Sequence, residues 1–164
     1  MIRRSVPATP RIAAQSGVGL IEVLIAVLVL SIAFLGIAAL QAMSLSTNNS
    51  AMARSMATIA SYSILDAMRA DVGGARSGAY NTTVTASACA AGTSGSLASA
   101  QLYQWCTSQL GNKSIGAVAS TTGKVSCSAV GIDSADCTIT ITFDDSRAGV
   151  GGTSNQQVVT RAML

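Results

Sequence analysis

Residues 18 to 40, Val-Gly-Leu-Ile-Glu-Val-Leu-Ile-Ala-Val-Leu-Val-Leu-Ser-Ile-Ala-Phe-Leu-Gly-Ile-Ala-Ala-Leu, decide how the rest of the chain is read. They hold one charge, Glu22, and the next charged residue is Arg54. A helix rises about 1.5 Å per residue, so the run makes a rod of about 35 Å, enough to cross a hydrocarbon core of about 30 Å. Ahead of it stand Arg3, Arg4 and Arg11 with no acidic residue. The positive-inside rule therefore expects a single-pass membrane protein with a cytoplasmic N-terminus and everything after residue 40 across the membrane.

Glu22 is the feature that an ordinary anchor leaves unexplained. An ionised Asp at mid-bilayer costs about 2.5–3.5 kcal/mol on insertion scales, and a Glu near the end of a span costs less. A carboxylate in such a place calls for a partner. The nearest available cation would be a free amine made by cutting the chain just ahead of the helix. A cut between Gly17 and Val18 leaves Glu22 as the fifth residue of the new chain. A secretory signal peptide fits less well, since its apolar core runs only about 7–15 residues and precedes an Ala-x-Ala-like site.

The stretch Ser16-Gly17-Val18-Gly19-Leu20-Ile21-Glu22-Val23-Leu24-Ile25-Ala26 resembles the class III signal of type IV pilins, usually a Gly followed by Phe-Thr-Leu-Ile-Glu. The resemblance implies that a prepilin peptidase removes residues 1–17 as a leader and methylates the amine of Val18. It implies too that Glu22 docks each subunit in a fibre, facing a neighbour's N-terminal amine. Val18 stands where Phe is usual and Gly19 where Thr is usual. The second departure is expected to loosen the first turn, since Gly weakens a helix interior by about 0.8–1 kcal/mol relative to Ala.

The remaining composition narrows the class. Net charge is +3, and removing residues 1–17 takes away three of ten basic side chains, leaving seven against seven acidic ones. A near-neutral chain gives no support for a nucleic-acid surface, which shows as a basic patch. Four Cys and no His, all beyond the span, point to an oxidising compartment such as the bacterial periplasm.

Residues 41–72 are expected to continue the helix as its periplasmic half, since no Pro follows Pro10. Met52, Met56, Ile59, Ile64, Leu65 and Met68 form one stripe that is expected to cover a sheet, with Arg54, Asp66, Arg69 and Asp71 off it. Asn48-Asn49-Ser50 is a point of expected fraying, and Gly73-Gly74 supplies the expected stop. A helix from Val18 to Val72 would be about 80 Å long, far more than a small domain needs for itself. Arg54-Ser55-Met56-Ala57 and Asp66-Ala67-Met68-Arg69-Ala70-Asp71 resemble the corresponding helix of PilV-type minor pilins.

Residues 73–164 are expected to form a small disulfide-bonded globular domain. Asn81–Ala88 reads as β-prone, and Ser96 can cap a helix over Leu97–Leu110 that Gly111 ends. Lys124–Val130, Thr138–Phe143 and Gln156–Met163 read as strands, with Ile139, Ile141 and Phe143 alternating against Thr138, Thr140 and Thr142. The fold class is thus α+β, a long N-terminal helix on a small antiparallel sheet, which resembles the type IV pilin arrangement. The stretch 149–155, rich in Gly, reads as a mobile loop.

Four Cys allow three pairings, and spacing alone does not choose among them. A turn at Gly131-Ile132-Asp133 that pairs residue 130 with 134 puts Cys127 opposite Cys137, within disulfide reach. Cys89 would then join Cys106. Zinc fits poorly, because no Cys-x-x-Cys spacing and no His is present. Neither a Ser-His-Asp set nor a Gly-x-Ser-x-Gly elbow can be assembled, so no enzymatic activity, catalytic residue or cofactor is expected. Asp144-Asp145 and Asp133/Asp136 could offer calcium ligands but read as solvated turns. Asn81-Thr82-Thr83 matches a glycosylation sequon, read here as coincidental.

What the resemblance implies is a minor pilin that waits in the inner membrane, joins other minor pilins and the major pilin on an inner-membrane assembly platform, and helps initiate and cap a type IV pilus. Such a fibre serves twitching motility, adhesion or DNA uptake. Two other classes stay open: a pseudopilin of type II secretion, and a membrane-anchored periplasmic binding domain.

Overall fold

The structure is a computed structural model and describes residues 17, 19–90, 95–111, 113, 115, 116, 119–148 and 152–164. Contacts divide the chain into two compact units, 1–40 and 41–164. One helix, α1 (Leu20–Arg69), runs unbroken for 50 residues. After it come α2 (Val72–Arg76), β1 (Thr82–Thr85), α3 (Leu97–Trp105), β2 (Thr122–Val130), β3 (Ser134–Phe143) and β4 (Gln156–Met163). The four strands form one antiparallel sheet in the order β1-β2-β3-β4. The architecture is α+β: a long, apolar N-terminal helix and a small antiparallel sheet.

Every described residue from Gly19 to Leu45 is exposed, so the apolar half of α1 finds no covering partner among the described residues. That half is long and apolar enough to cross a membrane. Asn48, Asn49 and Ser50 stay helical, contrary to the expected fraying. Ser50 is held from outside the helix, its Oγ donating to Asp145 Oδ2 at 2.6 Å.

The face that α1 gives to the core differs from the expected stripe. Met52 and Ile59 are about half exposed, and Met56 only partly buried. Ala53, Ala57, Ala60 and Ser61 are buried, followed by Ile64, Leu65 and Met68. Small side chains let the helix axis approach its neighbours closely, and Ala57 and Ala60 are fully buried as a result. Trp105 fills the space alongside, its Nε1 donating to the Ala60 carbonyl oxygen at 2.8 Å.

The helix also ends earlier than expected, and not at Gly73-Gly74. Asp71 leaves helical geometry, and its side chain accepts from the Gly74 N–H at 3.0 Å as the cap of α2. Both glycines lie inside α2. A Cβ at Gly74 would stand 2.3 Å from Asp71 Oδ2 and push the capping carboxylate aside. A capping carboxylate that satisfies an orphan N–H explains why chain direction changes at Asp71.

Ser96 caps α3 as expected, its side chain accepting from Ser99 N. The helix loses its regular form at Cys106–Leu110, a π turn closed by the Gly111 N–H on the Cys106 carbonyl at 2.8 Å. The β-prone stretch 81–88 contracts to Thr82–Thr85. Asn81 completes the edge with its side chain instead: Oδ1 accepts from Cys127 N at 2.6 Å and Nδ2 donates to Cys127 O at 2.9 Å.

β2 pairs β3 with Val130 opposite Ser134 and Cys127 opposite Cys137, the turn occupying Gly131-Ile132-Asp133. Gly131 has φ +64, which the turn requires. The structure contains two disulfides, Cys127–Cys137 across this hairpin and Cys89–Cys106 joining the segment after β1 to the end of α3. Each closed loop contributes about 2–4 kcal/mol. On β3, Ile139, Ile141 and Phe143 are fully buried while the threonines between them are half-buried. Gly123 in β2 is the close-approach position of the sheet. A Cβ there would stand 2.3 Å from the Trp105 ring and 2.7 Å from Leu110 Cδ1. Residues 149–151 of the expected mobile loop lie outside the described residues, as does most of the 1–17 leader.

Candidate functional site

The residues singled out for processing and docking gather at the start of α1. Gly17 is exposed and non-helical, and Val18 lies outside the described residues. Gly19 is not an interior residue of the helix. Its carbonyl accepts from the Glu22 N–H at 2.9 Å and the Val23 N–H at 3.3 Å, which makes it the N-cap. The cost of an interior glycine therefore does not apply, since Gly is well tolerated at an N-cap. Thr at the same position would accept from a first-turn N–H as a cap, so the departure from the usual pattern changes the cap and not the helix.

This frame makes Glu22 the third residue of the first turn. It is the acidic residue of that turn, close to N–H groups that have no intrahelical acceptor. The helix N-terminus offsets part of the cost of a carboxylate in an apolar segment. Glu22 is exposed, so its carboxylate is open to a cation from outside the chain. A carboxylate of this kind can pair with an amine.

A second polar centre, not anticipated from the sequence, lies in the unit 41–164. Asp145 is only 7% exposed, which corrects its reading as a solvated turn residue. Its Oδ2 accepts from Ser50 Oγ at 2.6 Å and from Arg54 Nη2 at 3.2 Å. Arg54 also reaches Gln156 Oε1 at 3.4 Å, and Ser46 Oγ donates to the Arg147 carbonyl at 2.6 Å. Asp144 turns elsewhere and accepts from Ser146 N at 2.9 Å; the Ser146 hydrogen bonds hold its carboxyl below the usual carboxylate range. The two neighbouring carboxylates thus do separate structural jobs. Beside them is a cavity of about 290 Å³ lined by Ser46, Lys113, Asp144, Asp145 and Arg147. Among the described residues, no group of three or more His, Cys, Asp or Glu could hold a metal ion.

Asp133 and Asp136 do not act together either. Asp136 forms an ion pair with Arg161 of β4, with Nε to Oδ1 at 2.9 Å, and that hydrogen-bonded guanidinium lowers the Asp136 carboxyl below its usual range. Tyr80 is fully buried with its hydroxyl between Asp71 Oδ2, at 3.1 Å, and Gln101 Oε1. Burial and then the Asp71 carboxylate push the phenol well above its usual value. It is a structural tie. The Asn81 amide nitrogen donates to Cys127 O.

The signal for the Ser50–Asp145–Arg54 centre was faint. It consisted of a Ser on the same helical face as Ala53, Ala57 and Ala60, and of the first cation after the span. Comparison of the chain with protein-family models, with curated proteins and with solved structures finds no match in any of the three.

Proposed function

We propose that the chain is a minor pilin of the PilV type, a structural subunit of a type IV pilus rather than an enzyme. One observation carries the reading. Glu22 is the lone acid of an apolar helical segment, five residues after Gly17, and is open to solvent in the first turn. In the proposal a prepilin peptidase cuts after Gly17, the new Val18 amine is methylated, and Glu22 receives the terminal amine of a neighbouring subunit. The apolar half of α1 sits in lipid before assembly and against equivalent helices afterwards. The unit 41–164 then lies on the periplasmic side and ends on the fibre at the cell surface. Its disulfides suit that compartment.

The test is intact-mass and N-terminal analysis of the protein from its native membrane, with a Glu22→Ala strain in parallel. The expected chain begins at methylated Val18, and Glu22→Ala inserts in the membrane but is depleted from sheared fibres. A native protein beginning at Met1, or a variant recovered in fibres at the wild-type level, overturns the proposal.

A further inference from the structure

We infer that the cavity beside Ser46 and Asn49 is a phospholipid headgroup site, which takes the phosphodiester of a lipid from the membrane that anchors the chain. The inference rests on the membrane anchoring proposed above. It is carried by the charge on the cavity wall and by where along α1 that wall begins.

The wall has one positive charge left over. Asp145 is matched by Arg54 and held by Ser50. Asp144 is committed to Ser146, whose hydrogen bonds hold its carboxyl low, with the Arg147 charge adding to that pull. Lys113 and Arg147 also line the cavity, and both are exposed. Among the described residues neither forms an ion pair. Two cations thus share one remaining carboxylate. A phosphodiester carries a single negative charge and makes up the difference, and its oxygens suit ammonium and guanidinium donors. Asn49 adds a neutral donor on the same wall. A volume of about 290 Å³ lies at the small end for a ligand site, so it suits a headgroup and not a whole lipid.

The position picks out a lipid over a free solute. Ser46 is the first residue of α1, after the exposed run that ends at Leu45, to be partly covered. From Glu22 to Ser46 the helix rises about 36 Å. That is more than the hydrocarbon core of about 30 Å and less than the 40–45 Å of a bilayer with its headgroups. With Glu22 in one headgroup layer, Ser46 is in the other. Leu45 lies one turn ahead of Asn49 on the same face of the helix. It is 65% exposed, and Met43 is 59% exposed. Acyl chains can run down this apolar track while the phosphate stays at the cavity, a contact that no free phosphodiester can use.

The test uses the isotope-labelled full chain in uncharged maltoside micelles, titrated with dihexanoyl phosphatidylglycerol and followed by NMR. Two further probes separate the sources: glycerophosphoglycerol, which is the headgroup without acyl chains, and dihexanoylglycerol, which has no phosphate. The lipid is expected to shift the signals of Ser46, Asn49, Lys113 and Arg147 and to saturate. Dihexanoylglycerol leaves them in place, and glycerophosphoglycerol binds at least about tenfold more weakly, since the apolar contact is lost. Lys113→Gln and Arg147→Gln, both exposed and expected to fold, each weaken the lipid by about threefold to fivefold, the range of a solvent-exposed ion pair. Asp144→Asn removes the competing carboxylate and tightens the lipid by a similar factor. Lys124→Gln, a cation of β2 away from the cavity wall, changes nothing.

The absence of a saturable shift at these residues overturns the inference. So does an affinity that Lys113→Gln and Arg147→Gln leave untouched, or a headgroup that binds as tightly without its acyl chains. A lipid site in a chain whose native form begins at Met1, or is missing from fibres, supports the cavity and sinks the pilus reading. A methylated Val18 with no lipid response does the reverse, so the two failures are told apart.

Discussion

The two halves of α1 obey opposite rules. From Leu20 to Leu40 most side chains are large and apolar, and every residue is exposed, Leu28 at 62% and Phe34 at 61%. From Ser50 to Ala60 the buried positions are Ser50, Ala53, Ala57 and Ala60, while Met52 and Ile59 face out. One helix thus shows its bulk where the described residues give it no cover and hides its small residues where the domain packs. Hydrophobicity says how badly a side chain wants company; side-chain volume says how close that company can come.

The largest expected effect comes from emptying the packed half. Trp105→Ala removes the ring beside Ala60 and its hydrogen bond, and should lower stability by about 3–5 kcal/mol. Phe34→Ala should leave the denaturation midpoint of the domain unchanged, as followed by circular dichroism on the full chain in detergent. Equal losses for both variants would erase the distinction between the halves. Ala57→Leu should cost about 1–3 kcal/mol by overpacking, whereas Met52→Ser on the outward face should stay within about 0.5 kcal/mol. A neutral Ala57→Leu would mean that the close approach at this face is not needed.

Ser50→Ala should cost about 1.5 kcal/mol in the same assay, because the buried Asp145 carboxylate keeps only the Arg54 contact. A variant as stable as the wild type would remove the polar centre from the account of why α1 is anchored at this point. The smallest effect is electrostatic. The Arg161 hydrogen bond lowers the Asp136 carboxyl, so the pair favours the folded state above the ordinary Asp value of about 3.9. That contribution fades as pH falls from there through the depressed value. Asp136→Asn should flatten this acid limb of the stability profile and change little near neutrality, which a urea series between pH 2 and 6 measures; an unaltered limb would mean the exposed pair carries none of the acid sensitivity.

Much of the sheet was legible because strands announce themselves with period two. The register through Gly131 placed Cys127 opposite Cys137, and Ile139, Ile141 and Phe143 against the core, as the structure has them. The start of α1 was legible as an apolar run, but the role of Gly19 was not, because a cap is defined by geometry and not by propensity. Helix faces were harder. A stripe search rewards Met and Ile, and it passed over Ala57 and Ala60, whose value is in what they allow to approach. The end of α1 was misplaced because a side-chain bond from Asp71, three residues from Gly74, decided it. Asp145 was hidden for a similar reason. Its partners are 95 and 91 residues away in the sequence.

β3 lies lengthwise on α1, since Ser50 meets Asp145 just past one end of the strand and Met68 meets Cys127, the disulfide partner of Cys137, near the other, and this has a mechanical consequence. Ser50 is fastened at one end of that strand's path, Trp105 grips Ala60 midway, and Met68 rests on the cross-strand sulfur bridge at the other end. A load drawn along α1 therefore strains these attachments together, in shear, instead of opening them one after another like a zip. Rupture under tension then depends on how fast the whole seam lets go, a kinetic quantity, and a domain stitched to its helix in this direction holds longer than one whose contacts open in turn.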